Sequence, residues 1–180
     1  MKTPIRPIYI PNPLRRLLRL AVVACALMSF TAGIAPAQER AQLYDPGADA
    51  AAELDAVIAR ADAEGKHVLA QVGGNWCRWC VKLDRMMSED PVIDSLLQVD
   101  YILLRINYSK ENRNMDVLER LAWPQRFGFP VLVVLDGAGV RLHTQDSGLL
   151  ESGDGHDPAA VSRFLRLWSP GAIATERDAN

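Results

Sequence analysis

His67-Val68-Leu69-Ala70-Gln71-Val72-Gly73-Gly74-Asn75-Trp76-Cys77-Arg78-Trp79-Cys80 is the stretch on which the reading of this chain turns. Its first six residues are mostly apolar and partly β-branched, the length and composition of a buried strand, and Gly73-Gly74-Asn75 breaks the run. A helix is expected to start around Trp76-Cys77 and continue through Met87, with Val81, Asp84 and Met87 spaced as successive turns. Cys77 and Cys80 therefore fall where a strand hands over to a helix.

Working outward, Asp49 to Glu64 places Leu54, Val57, Ile58 and Ala61 on one helical face, and Gly65 suits the end of that helix. Pro91 opens another helical run to about Gln98. Tyr101 to Ile106 reads as a second buried strand, Asn107 to Asn114 as a surface loop, and Met115 to Phe127 as a helix interrupted near Pro124. Val131–Leu135 and Val140–Gln145 form a hairpin through the turn residues Asp136-Gly137-Ala138-Gly139. Asp146 to Asp157 reads as loop. Pro158 suits the first position of a last helix reaching Trp168, with Val161, Phe164, Leu165 and Trp168 on one face. This order implies an α/β domain over residues 49–169, a central mixed β-sheet flanked by helices on both faces. Residues 38–48 read as a lead-in segment and 170–180 as a C-terminal tail.

The first 37 residues follow another logic. Lys2, Arg6, Arg15, Arg16 and Arg19 are basic, no acidic residue precedes Glu39, Leu20 to Ile34 is almost wholly apolar, and Ala35-Pro36-Ala37 offers small residues for cleavage. That pattern reads as a secretory signal peptide, with periplasmic or secreted localisation and no stable membrane insertion after cleavage. The apolar run is interrupted by Arg19 and is short for an uncleaved anchor. Val22-Val23-Ala24-Cys25 resembles a lipoprotein box, but apolar sequence continues after it, and Cys25 is read as an ordinary signal-peptide residue. Cleavage leaves 15 basic against 22 acidic residues, a net charge of −7. Such a balance argues against nucleic acid or an anionic membrane as the main partner.

Only Cys77 and Cys80 remain after cleavage, in a compartment where a pair of thiols can cycle. A free thiol has a pKa of about 8.5 and reacts only as thiolate, so position must supply activation. Unpaired N–H groups at the helix start point at Cys77, and Arg78 adds a neighbouring cation. Cys80 lies one turn deeper on the same face. Cys77 is thus the attacking group that forms a mixed disulfide, and Cys80 the group that resolves it.

Gly74-Asn75-Trp76-Cys77-Arg78-Trp79-Cys80, with Pro130 after Phe127-Gly128-Phe129, resembles the active-site and cis-proline segments of the thioredoxin-like family, in particular bacterial exported members with a WCxWC segment. The resemblance covers roughly Asp49 to Trp168. It implies that Pro130 is cis and lies against the two cysteines, that Phe129 offers its backbone to an extended substrate segment, and that Trp76 is an apolar docking surface. Departures accompany it. Thioredoxin has a buried acidic residue where this chain has Gln71, so activation of Cys80 must rely on water, on another carboxylate such as Asp84 or Glu89, or be slow. Thioredoxin's kinking proline is replaced by Arg85, and Arg78-Trp79 fills the motif.

The expected activity is that of a protein-disulfide oxidoreductase without a bound cofactor, acting on protein thiols and disulfides and reset by a membrane or periplasmic redox partner. A closed zinc site wants four ligands, whereas His67, His143 and His156 are scattered along the sequence. A purely structural disulfide across so short a ring would constrain little chain. The remaining alternative is a thioredoxin-like binding module or chaperone that holds extended segments with a non-cycling disulfide. Trp79 reads as core or rim, and the direction of exchange stays open.

Overall fold

Unbroken burial over His67–Gly73 makes this run, β1, an inner strand of the sheet. The computed structural model describes residues 42–178, with side chains to residue 174. Ahead of β1 comes α1 (Ala50–Glu64). Asp49 caps its start by accepting from the Ala52 N–H, and Gly65 ends it in the left-handed region at φ 65°. After β1 follow α2 (Arg78–Glu89), α3 (Pro91–Asp100) and β2 (Tyr101–Asn107). Then come α4 (Met115–Arg120), β3 (Val131–Leu135), β4 (Arg141–Asp146), the short strands β5 (Glu151–Ser152) and β6 (Gly155–His156), α5 (Pro158–Leu167) and α6 (Pro170–Asp178).

The main sheet has the order β2-β1-β3-β4. β1 runs parallel to β2, as the crossover through α2 and α3 requires, and antiparallel to β3, which pairs antiparallel with β4. Two-residue periodicity divides β1 between two layers. Val68, Ala70 and Val72 join α1 and α4 residues such as Leu54 and Leu118 on one face. Leu69 packs on the other face with Leu83 and Met87 of α2, Ile93 of α3 and Phe164 of α5. Gln71 and Gly73 share the parity of Leu69, so β1 turns both toward the helix that follows the cysteines. The expected α/β sandwich, helices on both faces of a mixed sheet, is the fold observed.

Three expectations need correction. The helix from Met115 stops at Arg120, because Ala122 and Trp123 take left-handed φ values of 60° and 58°, and a 3-10 turn follows at Pro124–Phe127. A proline disfavours helical geometry in the residue before it, which places the break at Trp123. The stretch 146–157 is no plain loop: it holds a 3-10 turn at Ser147–Leu150 and the β5–β6 hairpin. The C-terminal tail is helical as α6, with Pro170 as its first residue. The signal peptide and Cys25 lie outside the described residues.

Candidate active site

Cys77 and Cys80 are joined as a disulfide at the start of α2. Cys77 is the N-cap, its backbone extended (φ −90°, ψ 102°), and its Sγ accepts from the Cys80 N–H at 3.1 Å. A sulfur in this place takes one of the helix's unpaired N–H groups, the arrangement that stabilises a thiolate. The two sulfurs differ in access: Cys77 keeps 5% of its surface exposed and Cys80 none.

A rim of aromatic rings surrounds Cys77. Trp76 is 59% exposed, and its indole Nε1 donates to the Tyr108 carbonyl at 2.7 Å. Its ring meets Phe129 edge-on at 5.3 Å, and Phe129 in turn stacks on Tyr108 at 4.9 Å. The Phe129–Pro130 peptide bond is cis. Phe129 also packs against the cluster formed by Tyr44, Cys77 and Cys80, so both cysteines and the cis-proline segment converge on one place. An apolar recess of about 370 Å³ opens beside the rim, lined by Trp76, Tyr108, Ser109, Lys110, Glu111 and Arg113.

Arg78 takes another direction from the one its position suggests. Its side chain is 81% exposed, and the guanidinium lies 3.7 Å from the Asp154 carboxylate of the β5–β6 hairpin. Lys82 reaches the same carboxylate at 2.6 Å and lies 5.0 Å over the Trp79 ring. The expected cation beside Cys77 is thus paired with Asp154 at the surface. Trp79 is half-buried under the hairpin, edge-on to His156 at 5.4 Å, consistent with a rim position.

Behind the disulfide lies a residue that sequence reasoning assigned to the lead-in. Tyr44 is fully buried against both cysteines, 31 positions ahead of Asn75, whose side chain clasps its backbone. Asn75 Oδ1 accepts from the Tyr44 N–H at 3.0 Å, and Asn75 Nδ2 donates to the Tyr44 carbonyl at 2.7 Å. Gln71 Nε2 donates to the Tyr44 hydroxyl at 2.7 Å and to the Cys80 carbonyl at 3.3 Å. Burial pushes the Tyr44 phenol well above its ordinary range. The carboxylates weighed earlier for Cys80 are placed otherwise. Asp84 pairs with Arg105 of β2 at 2.6 Å, and Glu89 lies on the surface at the far end of α2. The resemblance to thioredoxin, which has a buried acid at this place, was the signal that pointed to Gln71; nothing local marked Tyr44.

The comparisons with known proteins agree with this geometry. The chain is 24% identical over 165 residues to the thiol:disulfide interchange protein DsbD of Klebsiella pneumoniae, an alignment covering 87% of this chain and 26% of that protein. It therefore spans about a quarter of the length of that relative. Among solved structures, the disulphide isomerase of Xylella fastidiosa superposes with a TM-score of 0.62 at 23% identity, covering 69% of this chain and 94% of that one, a likeness of fold. Residues 49–137, with the Cys77–Cys80 pair among them, match the family described as thioredoxin-like.

Proposed function

We propose that this protein is a thiol-disulfide oxidoreductase that exchanges disulfides with protein substrates through Cys77 and Cys80. The observation that carries the reading is the inequality of the two sulfurs. One lies at a helix N-cap on a rim of exposed aromatic surface, and the other is sealed beneath it. In the reduced protein the Cys77 thiolate attacks a substrate disulfide, one substrate sulfur leaving as thiolate and the other bonded to Cys77. Cys80 then attacks Cys77 Sγ, the mixed disulfide breaks, and its electron pair leaves with the second substrate sulfur. The reverse sequence oxidises a substrate dithiol.

Trp76 and Phe129 form the docking surface for the substrate chain, with Pro130 holding Phe129 beside the sulfurs. Among the described hydrogen bonds none uses the Phe129 backbone N–H or C=O, which supports pairing there with an extended segment. Arg78 supports the Cys77 thiolate only as an exposed, solvent-screened cation. The basic, then apolar, N-terminal sequence and the likeness to a thiol:disulfide interchange protein support a periplasmic setting and a membrane or periplasmic redox partner. In the test, Cys77→Ser abolishes exchange with a disulfide-bonded protein, and Cys80→Ser accumulates a mixed disulfide that peptide mass spectrometry locates at Cys77. Undiminished exchange by Cys77→Ser overturns the proposal. Retained affinity for extended peptides with both cysteines replaced, and no exchange by the native chain, would replace it with the binding-module reading.

A further inference from the structure

Resolution needs Cys80 as a thiolate in a place that solvent does not reach. An anion buried there is strongly disfavoured unless a hydrogen-bond donor faces it. The charged side chains that act on Tyr44 are Asp84 of α2 and Arg105 of β2, and they are paired with each other at 2.6 Å. Among the described residues of the buried hydrophobic cluster, Tyr44 carries the titratable group beside the two cysteines. Its oxygen accepts from Gln71, so its own proton has no acceptor among the described hydrogen bonds. Gly73 shows what lies near that hydroxyl. A Cβ built on Gly73 would lie 2.5 Å from Cys80 Sγ and 2.7 Å from the Tyr44 hydroxyl oxygen. Both atoms face one point that the glycine leaves open, and their separation cannot exceed the sum of those distances.

Building on the oxidoreductase reading, we propose that the Tyr44 hydroxyl is the hydrogen-bond donor to the Cys80 thiolate, held in place by Gln71 and Asn75. In resolution the Cys77–Cys80 bond is open, and the Cys80 S–H proton passes to water that enters past Cys77, the exposed edge of the pair. Tyr44 donates to the sulfur that remains, and the Cys80 thiolate attacks Cys77 Sγ as the substrate sulfur departs with the electron pair of the broken bond. In the opposite direction an incoming thiolate attacks Cys77 Sγ, and Tyr44 stabilises Cys80 as the leaving group. Burial keeps the phenol protonated, which suits a donor that never gives up its proton. Tyr44 lies ahead of residue 49, where the family match begins, so the donor comes from outside the matched residues.

The test mixes the reduced full chain, carrying Cys25→Ser so that only the pair reports, with a chromogenic aromatic disulfide over a range of pH. A first release of chromophore reads attack by Cys77, and a second reads resolution by Cys80. Tyr44→Phe keeps the ring and should leave the first release unchanged. It should raise the pH midpoint of the second by about one unit, slowing resolution about tenfold at neutral pH. A fluorinated tyrosine at position 44, a stronger donor of nearly the same shape, should lower that midpoint. A second release identical to wild type across pH in Tyr44→Phe overturns the proposal. If that variant fails to fold, an unmoved midpoint in the fluorotyrosine protein overturns it instead. Absence of the first release from the native chain would defeat the oxidoreductase reading, not this one.

Discussion

Gly73→Ala tests the packing behind the disulfide most directly. The added methyl would stand 2.5 Å from Cys80 Sγ, 2.7 Å from the Tyr44 hydroxyl oxygen and 3.1 Å from Tyr44 Cζ. Heavy atoms of this kind rest about 3.5–4.0 Å apart, so the first two contacts are short by about 1 Å and the third by roughly half that. Neither neighbour gives way easily in the oxidised protein. The sulfur is tied to Cys77, and the Tyr44 ring is fully buried with its backbone clasped by Asn75. Overpacking of one methyl in a filled core costs about 1–3 kcal/mol. Once the disulfide opens, Cys80 Sγ can rotate away, so most of that cost falls on the oxidised form alone. At about 30 mV per 1.4 kcal/mol for two electrons, the potential of the pair should rise by about 20–60 mV, making it more oxidising. Equilibration in glutathione buffers, with thiol trapping and peptide mass spectrometry at Cys77 and Cys80, measures it. A potential unchanged within about 10 mV, with unchanged stability of the oxidised form, would show that Gly73 is not crowded and that the reasoning fails.

Two further outcomes are expected. Arg78→Ala should change the rate of Cys77 alkylation less than about twofold, because an exposed cation already facing Asp154 acts through screening solvent; a tenfold loss would mean that the guanidinium turns to the sulfur in solution. His156 is held below its ordinary range, first by burial and then by Lys82, and neither ring nitrogen has a partner in the described structure. Its folded value lies below the unfolded one near 6.5, so the unfolded chain binds the proton first as pH falls. Its contribution is intact above about pH 6.5 and is lost below it, and His156→Phe should flatten that decline in denaturant midpoint. Equal declines in both proteins would exclude His156 as its source.

What could be read from sequence was local in character. Strand β1, the helix after Cys77 and the aspartate and proline starts of α3 and α5 are each written within a few residues, by apolar runs and caps. The position of Cys77 at a helix N-cap follows from the Gly73-Gly74 break just before it. Tyr44 was illegible for the opposite reason. Its burial depends on Asn75 and Gln71, 31 and 27 positions away, and its own neighbours, Leu43 and Asp45-Pro46-Gly47, look like an ordinary polar lead-in. The β5–β6 hairpin was missed likewise, since two-residue strands carry no periodicity. Only their contacts reveal them, with Asp154 drawing Lys82 and Arg78 from α2 and His156 meeting the Trp79 ring.

The substitution of Gln71 for a buried acid therefore alters more than one residue's capacity to take a proton. A carboxylate at this place would accept the proton of Cys80 and become neutral, but while it is ionised its charge opposes a thiolate beside it, and like charges at close range repel. An amide that orients a phenol supplies no base, yet it sets a donor against the sulfur without adding charge. The acid helps most when Cys80 must lose a proton to attack. The neutral donor helps equally when Cys80 leaves as thiolate, because no prior protonation is needed. Gln71 and Tyr44 together thus make the buried sulfur's chemistry independent of any carboxylate titration in its immediate cluster, and what pH dependence remains belongs to the cysteines themselves.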